Sequence, residues 1–132
     1  MAEAIARGLV RAGEPIEPGT RFSSAGVGAA DGMEFSPETA RAVERLGFAA
    51  PAGFSRALTP AMLDAADAIY VMTRAHRSAV LRLRPAVADR VDLLDPDGAD
   101  IPDPIGAGQE RYDQVASRMR DIITRRLRET SP

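Results

Sequence analysis

The chain has 132 residues, with 17 basic and 19 acidic side chains, a net charge of -2 and 45% hydrophobic residues. That length suits a single domain, residues 1–132, with one proper core. It has no cysteine and one histidine. Disulfides, thiolate metal sites and thiol nucleophiles are therefore excluded from these residues, and a single histidine leaves too little for a histidine zinc site. A carboxylate site for magnesium is left open by the composition, but no motif suggests one. No basic stripe interleaved with aromatics marks a nucleic-acid partner. No apolar run is long enough to cross a bilayer. Glu3, Arg7 and Arg11 interrupt the opening residues, so they do not read as a secretory signal. The expectation is a cytoplasmic protein with no membrane partner.

In chain order, residues 1–12 read as an amphipathic helix, with Ile5, Leu9 and Val10 on one side and Glu3, Arg7 and Arg11 four apart on another. No capping residue precedes Met1, so the helix is expected to have lost something upstream. Residues 21–25 are a candidate short strand, followed by a loop rich in glycine and alanine. Ser36-Pro37 opens the next helix, with serine as N-cap and proline where its missing N–H costs nothing. Ala40, Val43 and Leu46 line its inner face. Thr59-Pro60 repeats the device for residues 61–66. Residues 68–72 (A-I-Y-V-M) have the look of a strand buried on both faces. Thr73 caps a helix that Pro85 stops. Residues 91–94 form another strand, and residues 95–108 a long loop rich in turn formers. A last helix from about Gln109 to Arg128 places Tyr112, Val115, Met119, Ile122 and Leu127 at helical intervals. Strands alternating with helices predict an α/β domain with a mainly parallel sheet.

Few motifs carry chemistry. Gly26, Gly28 and Gly32 are spaced one residue too widely for a dinucleotide fingerprint, and the next helix starts several residues later. They read as a turn that exploits positive φ. His76, early in a helix, reads as a surface residue. Asp103-Pro104 is first of all a turn initiator. It lies, however, in a loop that follows a strand, where parallel α/β proteins place their chemistry. Asp100 stands three residues earlier and need not cooperate with it.

Five stretches, in order, resemble the low-molecular-weight protein phosphatases. M-A-E-A-I-A at residues 1–6 is similar to the segment directly after that family's phosphate loop, C-x5-R-S/T-P. S-A-G-V at 24–27, Arg56-Ala57-Leu58-Thr59, A-D-A-I-Y-V-M-T at 66–73 and D-I-P-D-P-I-G at 100–106 follow collinearly. The resemblance implies a three-layer sandwich with a mostly parallel four-stranded sheet, whose first, central strand is missing here. It implies hydrolysis of phosphotyrosine or phosphoarginine on a protein substrate through a cysteinyl-phosphate, with no cofactor and no metal. Asp103 would be the general acid and base, Ile105 would line the substrate pocket, and Ser24 would position the catalytic loop through its hydroxyl.

The departures are definite. The cysteine and arginine of the loop are not in the chain, Gly53 stands where the family often has histidine, and Ile105 replaces an aromatic residue. The glycine after Ile105 resembles the arginine-phosphatase branch more than the tyrosine branch. The arsenate-reductase branch needs further cysteines and ranks last. The alternative reading is a catalytically dead binding or regulatory module. Without the central strand and the loop, the chain is expected to fold poorly and to lack phosphatase activity.

Overall fold

The computed structural model describes residues 1–27, 32, 34–51 and 53–130. The elements in chain order are α1 (Ala2–Arg11), α2 (Pro37–Arg45), α3 (Pro60–Ala65), β1 (Ile69–Val71), α4 (Arg74–Leu83), a 3-10 helix (Pro85–Arg90), β2 (Val91–Leu93) and α5 (Gln109–Thr130). Among the described residues no helix is long and apolar enough to cross a membrane. The chain divides into two compact units.

One unit comprises Met1–Ser24, Glu34–Phe54 and Asp103–Pro132, and it is helical. Both α1 and α2 pack on α5. The long helix brings Tyr112, Val115, Ala116, Met119, Ile122, Ile123 and Leu127 into this core, which is the stripe its periodicity predicts. From α1 come Ile5, fully buried, and Leu9; from α2 come Ala42 and Val43. Burying such side chains is what stabilises short helices, since few hold together on propensity alone. Local chemistry sets where α2 starts: the Thr39 N–H donates to the Ser36 hydroxyl at 3.2 Å and Pro37 follows the cap. Two arginines tie loops to helices. Arg128 binds both carboxylate oxygens of Glu14 at 3.1 Å, and Arg7 donates to the Phe22 carbonyl at 2.8 Å.

The other unit, Ala25–Met33 and Ser55–Pro102, holds the sheet. Strands β1 and β2 pair in parallel, with Ile69 opposite Val91 and Val71 opposite Leu93. A parallel pair needs a crossover; here α4 and the 3-10 helix provide it. Leu63, Val71, Val80, Val87 and Val91 form the core, and Leu58, Ile69, Leu81 and Leu93 pack against it. Thr59 and Thr73 cap α3 and α4 by accepting from the N–H groups of Met62 (3.3 Å) and His76 (3.1 Å). Pro85 ends α4 as expected, but the chain then winds straight into the 3-10 helix, which was not expected.

The α/β class with a parallel sheet stands, matching the sequence reading. Two details differ. Residues 21–25 form no strand; just after them, among the described residues, Gly26 makes an isolated parallel bridge to Ala57. Its hydrogen bonds run from Gly26 N–H to Arg56 O at 2.9 Å and from Leu58 N–H to Gly26 O at 3.1 Å. An extended segment becomes a strand only where a neighbour completes its ladder. In β1, Val71 is buried but Ile69 and Tyr70 are only half-buried, so the run is not enclosed on both faces. Of the glycine loop, Gly32 donates to Ser55 O at 3.0 Å, whereas Gly28 lies outside the described residues.

Candidate active site

The loop carrying Asp103 follows β2 in the chain and leads into α5. Asp103 is exposed, and its Oδ1 accepts the main-chain N–H of Ile105 at 3.0 Å. Pro104 between them has no N–H to offer, so the first donor after the carboxylate is that of Ile105. A second turn overlaps the first: the Ala107 N–H donates to the Pro104 carbonyl at 2.9 Å. Its third residue, Gly106, has φ +75°, the left-handed value that a turn of this kind needs and that glycine adopts without strain. The two turns leave Ile105 at the tip with 77% of its surface exposed. Asp103 and Ile105 thus meet in one turn. Ser24 stands on another segment, exposed within residues 21–25, which form no regular element.

Beyond the loop, the first residue of α5 anchors it. The Gln109 side-chain amide donates to the Glu38 carbonyl at 3.0 Å and to Asp113 Oδ1 at 2.9 Å. Its oxygen accepts from Arg41 at 3.4 Å. Arg45 pairs with the other oxygen of Asp113. The Gln109 hydrogen bond first, and then the Arg45 partner, hold the Asp113 carboxyl below its usual range. Sequence reading missed this knot, because its partners come from α2, about seventy residues away along the chain. The one local signal was the i, i+4 spacing of Gln109 and Asp113.

Ahead of the loop, Asp100 has partners of its own. It accepts from the Arg74 N–H at 3.0 Å and from the Arg74 guanidinium at 3.4 Å, while that guanidinium also donates to the Gly98 carbonyl at 2.6 Å. A carboxylate at the start of α4 suits the positive end of the helix. Asp100 and Asp103 therefore have different partners in these bonds. A further cleft of about 240 Å³ is lined by Glu3, Ala4, Arg7, Arg11 and Ala49 to Pro51, and by none of the three candidate residues. Among the described residues no group of three His, Cys, Asp or Glu side chains is arranged to hold a metal ion.

An α/β chain with an Asp-Pro turn ahead of a long C-terminal helix is the frame in which the comparisons fall. The family model of low molecular weight phosphotyrosine protein phosphatases matches residues 1–130. The chain belongs to that family. A comparison with curated proteins finds no match. Among solved structures, the YwlE arginine phosphatase from Geobacillus stearothermophilus is 26% identical, with a TM-score of 0.86, over 97% of this chain and 81% of that one. The tyrosine phosphatase Wzb from Escherichia coli K30, in complex with sulphate, is 24% identical, with a TM-score of 0.85, over 97% and 86%. Wzb from Vibrio vulnificus, in complex with benzylphosphonate, is 19% identical, with a TM-score of 0.86, over 97% and 87%. At these identities the Wzb likeness establishes the fold. Arginine and tyrosine phosphatases alike share it.

Proposed function

We propose that this chain is the body of a cytoplasmic, cofactor-free protein phosphatase acting on phosphotyrosine or phosphoarginine through a cysteine and an arginine that are not among these 132 residues. One observation carries the reading: family membership extends across residues 1–130 and includes the D-I-P-D-P-I-G loop with Asp103 in its turn. In the first step a cysteine thiolate attacks phosphorus, and the P–O bond of phosphotyrosine or the P–N bond of phosphoarginine breaks. The protonated Asp103 carboxyl gives its proton to the leaving oxygen or nitrogen. In the second step the Asp103 carboxylate takes a proton from water, whose oxygen attacks phosphorus and expels the thiolate, releasing inorganic phosphate. Backbone N–H groups and the loop arginine would bear the phosphoryl charge. Ile105, aliphatic and exposed at the turn's tip, would border the substrate, and Ser24 would hold the catalytic loop.

The second reading, a binding module without catalysis, rests on the absence of cysteine from these 132 residues. The nucleotides upstream of Met1 separate the two: an in-frame Cys-x5-Arg-Ser-Pro supports the enzyme, and a stop codon supports the module. In a form carrying that loop, Asp103→Asn should lower turnover on poor leaving groups by about 100-fold or more, the usual share of a general acid. Turnover like that of the unaltered protein would remove Asp103 from the role. The 132 residues alone should not hydrolyse an aryl phosphate, since the cysteine thiolate of the proposed mechanism is not among them; hydrolysis above background would overturn the proposed chemistry.

A further inference from the structure

We infer that the main-chain N–H of Ile105 aims the Asp103 carboxyl, holding Oδ1 as the acceptor so that the transferable proton resides on Oδ2. This rests on the reading of Asp103 as the general acid and adds the group that positions it. The Ile105 N–H donates to Asp103 Oδ1 at 3.0 Å. A protonated carboxyl has one oxygen that only accepts and one that carries the proton, whereas an amide N–H only donates. The N–H therefore selects Oδ1 as the carbonyl oxygen and leaves the hydroxyl to Oδ2. After proton transfer both oxygens are acceptors, so the same bond survives the step and no reorganisation is needed when charge appears.

The sequence builds this arrangement from three residues. Pro104 removes the nearer N–H and restricts the turn. The Ala107 to Pro104 bond at 2.9 Å and the positive φ of Gly106 close the second turn, which keeps the Ile105 N–H pointing back. Without this bond an exposed aspartate would sample several staggered rotamers, and only a fraction would face a bound leaving group. Ile105 is thus a positioning residue through its backbone, whatever its side chain contributes.

Its position also supplies a specific test. Ile105 is the second residue of the turn from Pro104 to Ala107, a place that favours proline. Described non-glycine residues all have negative φ. Ile105→Pro thus deletes the donor while suiting the turn, and Ile105→Ala truncates the side chain while keeping the donor. In the form with the cysteine loop, kcat is measured on phosphate esters of graded leaving group. Relative to Ile105→Ala, Ile105→Pro should lose about tenfold on the poorest leaving group, the worth of one hydrogen bond, and should approach parity on p-nitrophenyl phosphate. An equal loss on every ester would overturn the inference. Asp103→Asn, run alongside, separates the two claims. If it is indifferent to leaving group, the acid assignment fails; if it is sensitive and Ile105→Pro is not, only the positioning role fails. In the 132-residue chain, amide exchange of Ile105 should quicken about fivefold in Asp103→Ala and stay slow in Asp103→Asn, which keeps Oδ1. Unchanged exchange in both would show that the bond does not form in solution.

Discussion

Phe48 lies directly over Gly8 of α1: a Cβ added at Gly8 would stand 2.5 Å from Cγ, 2.7 Å from Cδ1 and 2.9 Å from Cβ of that side chain. Gly8 is buried in the middle of a helix, where glycine ordinarily costs about 1 kcal/mol relative to alanine. The close approach offsets that cost, because the phenyl ring fills the space a methyl group would take. Gly8→Ala should therefore destabilise the protein, since overpacking of about 1–3 kcal/mol outweighs the propensity gain. Urea denaturation measures it. With Phe48→Ala in the background, which removes the ring and leaves the Cβ, the loss should shrink, and a stabilising Gly8→Ala in the otherwise intact chain would contradict the packing.

The start of α2 depends on one hydroxyl. Ser36→Ala removes the acceptor of the Thr39 N–H and should cost about 1 kcal/mol. Ser36→Gly should cost only a few tenths, since glycine is tolerated at an N-cap. Thermal melts of the two variants should rank in that order, and equal losses would assign the effect to something other than the cap.

Asp113 gives the helical unit a pH dependence. Its carboxyl is held below the usual value of 3.8 by Gln109 and then by Arg45. A depressed folded pKa contributes stability that is complete above the unfolded value and disappears as pH falls through the folded one. Asp113→Asn should thus be less stable than the unaltered chain at pH 6, with the gap closing below pH 3.8. The pair is partly exposed, so added salt should narrow the gap at pH 6. Denaturant titrations at the two pH values and two salt concentrations check both signs; a gap constant in pH would assign the difference to packing.

Ser24 is exposed. If its hydroxyl holds the catalytic loop, Ser24→Ala in a form bearing that loop should lower kcat out of proportion to any fall in melting temperature. A fall in both together would return Ser24 to the role of a turn residue.

What the sequence determined by itself is local. Ser36-Pro37, Thr59-Pro60 and Thr73 set the helix starts because cap and proline act within one turn of chain. The Asp103 turn was legible because its acceptor and donor are two residues apart. The apolar stripe of α5 was legible because helical periodicity needs no partner to be read. What only the tertiary structure decided depends on residues far apart in the chain. Residues 21–25 read as a candidate strand, yet a ladder needs a neighbour's N–H and C=O groups, and no local pattern supplies one. Gly8 lies under Phe48, forty positions on, a contact that no local pattern shows. The Gln109 knot joins α5 to α2 through Glu38, Arg41 and Arg45. Such contacts exist only once two helices pack, because their side chains meet through the fold and not through the chain.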